Sequence, residues 1–405
     1  MSETQIEMIE LGDVAEFVRG INFKPDDVVS ESTPGVVACM RTKNVQAELD
    51  QSDVWFVGRQ FVKRKEQMLS HGDILISSAN SWNLVGKCCW IPDLPWESTF
   101  GGFVTVLRAN RNKAFPRYLY HWFSSPNVQD FARSFGRQTT NISNLDISRC
   151  LKMPIPLPPL SEQKRIAEIL DGAEALRSKR RAALALLDEL TQSIFLDMFG
   201  DPVSNPKGWD DSRTLADVAS IGSGITKGRR TSEPVRAVPY LAVVNVQDKM
   251  LDLSVVKTIE ATEKEIDRYR LKKNDLLLTE GGDADKLGRG TLWNDELSEC
   301  IHQNHIFRVR LTTNDVAPLF LNWLVGGQRG KSYFLSQAKQ TTGIATINMT
   351  QLKAFPMLIP SRKLQDDFAK RILRIEDIRS SKMSSLNELD QLFASLQHRA
   401  FRGEL

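Results

Sequence analysis

Hydrophobic and polar positions alternate in two different ways along the chain. Over most of its length, short apolar runs such as Ile74-Leu-Ile76 and Leu276-Leu-Leu278 are closed by Gly, Asn and Asp. Such runs read as buried strands between turns. Two stretches differ, with apolar residues recurring in alternating steps of four and three. The first places Ile166, Leu170, Ala173, Leu184, Leu187, Thr191, Ile194 and Met198 on one face. The second places Phe368, Ile372, Ile375, Leu386, Leu389, Phe393, Leu396 and Ala400 likewise. This is the seam of a coiled coil, and a helix of roughly 38 residues would be about 57 Å long. The first helix should begin near Ser161, with that serine as N-cap, and the second near Lys363.

Both seams are interrupted by two cations at the same place, Arg177 and Arg180 in one, Arg379 and Lys382 in the other. One reading turns the seam to solvent there, with basic stems lying along it. The other is a polar layer, paired with Asp171, Glu174, Glu376 or Asp377, that sets antiparallel register.

Sliding the chain along itself shows why the seams match: it repeats with a period of about 202 residues. Leu11-Gly-Asp-Val-Ala15 returns as Leu215-Ala-Asp-Val-Ala219, and Gly20-Ile21 as Gly224-Ile225. Asn44-Val-Gln46 returns as Asn245-Val-Gln247, Gly72-Asp73 as Asn274-Asp275, and Gly86-Lys87 as Gly288-Arg289. Gln138-Thr-Thr140 with Ile142 returns as Gln340-Thr-Thr342 with Ile344. The expected class is α+β: two similar globular domains, at 1–158 and 210–360, separated by two long antiparallel coiled-coil helices, at 159–199 and 361–405. A turn-rich linker at 200–209 joins the halves. The repeat implies a pseudo-two-fold arrangement with one head at each end. Proline-rich edges, Pro154–Pro159 and Pro356–Pro360, end each head before its helix.

Composition narrows the class. Charged residues make up 25% and hydrophobic ones 41%, ordinary for a globular protein. There is no apolar run of about eighteen residues and no basic-then-apolar leader, so neither a membrane span nor a secretory signal is expected. Five scattered cysteines without C-x-x-C argue against a disulfide framework and for a reducing cytoplasm. Catalytic patterns are missing. In Gly326–Ser332 the position that a phosphate loop needs as glycine is Val325. His302 and His305 have metal-like spacing but lack a third ligand nearby. No dinucleotide fingerprint, Asn-Pro-Pro-aromatic motif or nuclease carboxylate cluster appears, so the isolated chain is expected to catalyse nothing.

Binding chemistry is local, because the net charge is only +3. Arg41, Lys43, Asn44 and Gln46 combine cations with amides able to pair with adenine. Lys227, Arg229 and Arg230 form a glycine-flanked basic loop. Asn245 and Gln247 repeat the first amide pair, and His302, Gln303, Asn304 and His305 can all address base edges. Gln138, Thr139, Thr140 and Asn141, and then Gln340, Thr341 and Thr342, supply small donors and acceptors at matched places. For each cluster taken singly, a solvated turn is the plain alternative.

The run Pro156-Leu-Pro-Pro-Leu160-Ser-Glu-Gln-Lys-Arg-Ile166-Ala-Glu-Ile-Leu170-Asp resembles the proximal conserved helix of type I restriction–modification specificity (S) subunits. Ser395–Leu405 is similar to the end of that family's distal helix, and the strand-end motifs are similar to its target recognition domains. The distal start, Ser361–Phe368, departs from the Pro-Pro-Leu-x-Glu-Gln form. The resemblance implies that each head reads one half of an asymmetric bipartite DNA target and that the helix pair fixes the unread gap. It implies two modification subunits docked on the chain, with restriction subunits joining through them. The cofactors, S-adenosylmethionine, ATP and Mg, are expected on those partners and none on this chain. A scaffold or decoy that binds a methyltransferase without reading DNA, and a specificity component of a fused methyltransferase–nuclease, are the alternatives.

Overall fold

The computed structural model describes residues 7–138, 142–228, 231–282, 288–337, 339–341 and 344–405. It divides into two compact units, residues 1–182 with 384–405, and residues 183–383. The long helices Leu160–Phe199 and Arg362–Ala400 contribute one part to each unit. None of the described helices is long and apolar enough to cross a membrane.

In the first unit, Ala15–Arg19, Val104–Ala109, Ile74–Ser77 and Cys88–Trp90 form an antiparallel four-stranded sheet in that order. A second sheet orders Val28–Val29, Trp55–Gly58, Val36–Met40 and Ser98–Phe100, the last pair parallel. A small third sheet orders Arg137–Gln138, Ser143–Asn144 and Ala79–Asn80. The expectation that prolines simply end the sheet needs correcting. Pro154–Pro156 is itself an edge strand, paired with Met8–Glu10, a position where a missing N–H is tolerated.

The second unit repeats this order. Ala219–Ser223, Ile306–Leu311, Leu276–Thr279 and Gly290–Leu292 form its antiparallel four-stranded sheet. Lys257–Ala261, Arg236–Leu241 and Ile301–His302 form the second, again with one parallel pair. Gly281–Gly282, Ile344–Thr346 and Lys339–Thr341 form the third.

Matched residues explain the repeat. Asp73 is buried and takes a bidentate bond from Arg108, at 2.8 and 2.6 Å. Asp275 does the same with Arg310, at 2.7 and 2.7 Å. The residue before each aspartate adopts positive φ, Gly72 at 95° and Asn274 at 69°, which is why glycine or asparagine stands there.

The helix starts also match, against the expected departure. Gln163 Oε1 accepts from Phe115 N, and its Nε2 donates to the carbonyls of Lys113 and Pro158. Gln365 Oε1 accepts from Ala317 N, and its Nε2 donates to those of Asp315 and Pro360. Both side chains are buried, so each glutamine pins a head to its own helix. Ser161 lies inside the first turn rather than capping it, since Leu160 is already helical. In the distal helix the residue just before the start is Ser361.

Within the first unit, Ile166 and Leu170 are buried with Ala400, while Leu396, Leu386 and Leu389 are half-buried. Arg177 stacks over Phe393 at 4.3 Å and bonds Asp390 across the pair at 2.6 Å, so the segments run antiparallel. Within the second unit, Phe368, Ile372 and Ile375 are buried, and Leu184, Leu187 and Ile194 half-buried. There Arg379 reaches Asp188 across the pair at 3.5 Å and Glu376 along its own helix at 3.4 Å. One cation of each seam, Arg177 in the first unit and Arg379 in the second, therefore makes a polar cross-helix pair, with Glu174 and Glu376 as further partners. The cross-helix carboxylates, Asp390 and Asp188, stand at matched positions of the two units, whereas Asp171 is taken by Arg117 and His121 of the head.

Candidate nucleic-acid interface

In the first unit, strand Val36–Met40 runs into the turn Thr42–Asn44. Asn44 is buried. Its Oδ1 accepts from Arg41 N at 2.7 Å and its Nδ2 donates to the carbonyls of Asp50 and Asp53, at 2.8 and 3.0 Å. Asn245 repeats this, accepting from Ala242 N at 2.8 Å and donating to the carbonyls of Asp252 and Val255. The expectation that Asn44 and Asn245 read bases is therefore corrected. Every polar atom of both carboxamides already holds its own turn, and freeing one would leave buried backbone unsatisfied.

Arg41 is also held. Its guanidinium lies 3.7 Å over Trp55 and 3.1 Å from Asp53. Lys43 bonds Asp53 at 2.5 Å but is exposed, so it can exchange that carboxylate for a phosphate. Lys43 and then Arg41, by hydrogen bonding, hold the Asp53 carboxyl below its ordinary range.

Gln46 and Gln247 each meet a cation that sequence reading left out of the site. Gln46 Nε2 donates to Lys43 O at 2.8 Å, while its Oε1 accepts from Lys87 at 2.6 Å. Gln247 Nε2 donates to Val244 O at 2.7 Å, while its Oε1 accepts from Arg289 at 3.0 Å. The signal was there, since Gly86-Lys87 and Gly288-Arg289 repeat. Both glycines have positive φ, 82° and 71°.

In the second unit, the run from His302 to His305 divides. His302 is wholly buried with Nδ1 3.0 Å from Ile306 O, and burial followed by the nearby Arg308 charge pushes its pKa down to about 4. It is a core residue, which corrects its assignment as a base reader. Gln303 and Asn304 are half-buried. His305 is exposed, with Nδ1 2.6 Å from Glu280 Oε2. Among the described residues no group of three or more His, Cys, Asp or Glu could hold a metal. Lys227 is exposed, its ammonium 5.1 Å from the Tyr240 ring.

Gln138 lies on strand Arg137–Gln138, and Gln340 and Thr341 on Lys339–Thr341, each strand paired as one arm of a hairpin. Thr139, Thr140, Asn141, Arg229, Arg230 and Thr342 lie outside the described residues.

Sequence reading missed a cleft of about 430 Å³ in the first unit, lined among others by Phe23, Arg41, Lys43, Trp55 and Phe103. Gly20, which packs against Gly101 of that lining, recurs in the second unit as Gly224. A Cβ on Gly20 would sit 2.2 Å from Gly101 O, and one on Gly224 in the second unit 1.9 Å from His302 O. The backbones must touch there, so no side chain can replace either hydrogen. Exposed cations, amides and an imidazole on strand-end loops suit phosphates and base edges.

A family model described as the type I restriction modification DNA specificity domain matches residues 3–185 and again 206–391. The type I restriction enzyme StySPI specificity subunit of Salmonella potsdam is 25% identical over 97% of this chain and 87% of its own length. The EcoKI specificity subunit of Escherichia coli K12 is 24% identical over the same shares. Among solved structures, the type I restriction-modification S subunit from M. genitalium covers 99% of this chain and 98% of its own at TM-score 0.54 and 13% identity. A chain from work on complex assembly and conformational transition of the type I R-M system covers 100% of both at TM-score 0.56 and 15% identity. The tandem match spans most of the sequence, and the chain belongs to the type I restriction modification DNA specificity domain family.

Proposed function

We propose that this chain is the DNA sequence-specificity subunit of a type I restriction–modification complex, each half reading one part of an asymmetric bipartite target. The observation that carries this is a repeated scaffold with unlike loops. Asp73–Arg108 and Asp275–Arg310 recur with the same geometry, while exposed side chains at several matched loop positions differ, Lys43 against Val244 and Phe103 against His305. A protein that needed only to hold a partner would gain nothing from that divergence.

Lys43, Gln46, Lys227, Gln247, Gln303, Asn304 and His305 are the described candidates for DNA contact, together with the hairpins carrying Gln138, Gln340 and Thr341. The long helices set the unread gap and dock two modification subunits, through which restriction subunits join. This chain carries no catalytic step. S-adenosylmethionine, ATP and Mg belong to the partners, which methylate adenine and cleave unmodified DNA.

Adenine-methylation maps of host DNA with and without the gene test the proposal. Loss of methylation at one split, asymmetric motif is the expected result. An unchanged map, in a host whose partner subunits are expressed and active, would favour a scaffold that reads nothing.

A further inference from the structure

Three loop positions in the first unit have matched counterparts in the second, and their chemistry is exchanged. In the first unit Phe23, Lys43 and Phe103 face one cleft. At the corresponding positions the second unit carries Lys227, Val244 and His305.

Backbone bonding, and not only spacing, establishes the equivalence. Phe103 O accepts from Ser78 N at 3.0 Å, and His305 O accepts from Glu280 N at 3.0 Å. Ile21 bridges Gly101, and Ile225 bridges Gln303, both in parallel sense. Each loop leaves a parallel strand and enters the central sheet, at Val104 in one half and Ile306 in the other.

What stands on these loops is unlike. Phe103 is 67% exposed and Val244 69% exposed. One exposed apolar side chain means little, but Phe103 borders a cleft walled by Phe23 and Trp55. His305 is anchored the other way. Nδ1 lies 2.6 Å from the Glu280 carboxylate, so Nε2 is turned to the other side of the ring, where it meets Asn304 Nδ2 at 3.5 Å, a long contact that a base amine can replace.

Building on the DNA-reading function proposed above, we propose that Phe103 and His305 are equivalent specificity-determining residues for the two half-sites. Phe103 contacts the 5-methyl group of a thymine. His305 accepts from the exocyclic amine of an adenine or cytosine. Lys43 and Lys227 hold the neighbouring phosphates. Thymine methyl groups and amine edges are both displayed in the major groove.

The test uses the specificity subunit assembled with its modification subunits, and duplexes in which each half-site is varied base by base. Replacing thymine by uracil in the first half-site removes only the methyl group. It should weaken wild-type binding roughly fourfold at one position and leave Phe103→His unaffected there. His305→Phe should relax one position of the second half-site and leave the first unchanged. A first half-site in which no thymine-to-uracil change matters would overturn the Phe103 assignment without any variant having to fold. A His305→Phe complex with wild-type melting and wild-type preference at every base would overturn the His305 assignment. A wild-type complex without any base preference would instead overturn the proposed function itself.

Discussion

In the first half, the loop after the parallel strand ends in a phenylalanine beside an aromatic cleft; in the second, the same loop ends in a histidine tied to a carboxylate. Beneath both loops the buried polar pairs are the same. Asp73–Arg108 and Asp275–Arg310 lock matching strands, and Gln163 and Gln365 join matching helices to them. The contrast shows where variation is tolerated. A buried carboxylate or carboxamide has partners on several elements, so changing one orphans the others. A loop side chain facing water has no such ties.

Lesions placed in one half at a time separate the two kinds of position. The largest effect should come from Asp73→Ala or Asp275→Ala, each leaving an arginine without its buried partner at about 3–5 kcal/mol. Amide hydrogen exchange should show protection lost in Val104–Ala109 for the first and in Ile306–Leu311 for the second. Loss in both halves from one lesion would mean that they do not fold as separate units.

Gln163→Ala and Gln365→Ala come next, at roughly 1–3 kcal/mol for each buried group left unpaired. Chemical denaturation followed by tryptophan fluorescence would measure it, and the two variants should lose similar amounts. A large inequality would break the equivalence of the two helix starts.

His302 gives a difference that depends on pH. Its folded pKa is pushed down to about 4, while the unfolded chain titrates near 6.5, so between these values the unfolded state binds more protons. Its contribution is therefore fully present above about pH 6.5 and lost as pH falls towards 4, on the order of 3 kcal/mol in all. Its counterpart in the first half is Phe100, which does not titrate. Exchange measured at pH 7 and pH 5 should show extra weakening around strand Ile301–His302 and none attributable to Phe100.

The smallest effect belongs to the helix pair. Arg177 sits 2.6 Å from Asp390 and over Phe393, whereas Arg379 is 3.5 Å from Asp188. Arg177→Ala should cost about 1 kcal/mol and Arg379→Ala a few tenths, since the second pair is more exposed. Thermal melts would rank them, and the reverse order would discredit the tighter polar layer in the first unit.

Much of this organisation was legible in the sequence because it is periodic. Steps of four and three marked both helices, and the repeat carried Asn44, Asp73 and Gly86 onto matched positions. What a repeat cannot reveal is which side of the backbone a polar residue faces. Asn44 and Asn245 look like base readers in a string of letters, yet their recurrence reflects a turn both halves must close. His302 stands three residues from His305, but the strand end buries one ring and exposes the other. Of the site residues that the sequence pattern did not single out, Lys87 and Arg289 recur as a pair, whereas Phe23, Trp55 and Phe103 differ from their counterparts and so left no periodic signal. Gln163 and Gln365 also recur, but the heptads give no sign of their role, because their partners lie on head and edge segments.

The central claim is that one scaffold, used twice, reads two separate pieces of DNA. Selection from a fully randomised duplex pool by the assembled complex tests it most directly. The account predicts enrichment of a single motif made of two unlike blocks separated by a gap of fixed length and free sequence. Enrichment of one continuous block, or of two blocks at unfixed separation, would contradict it.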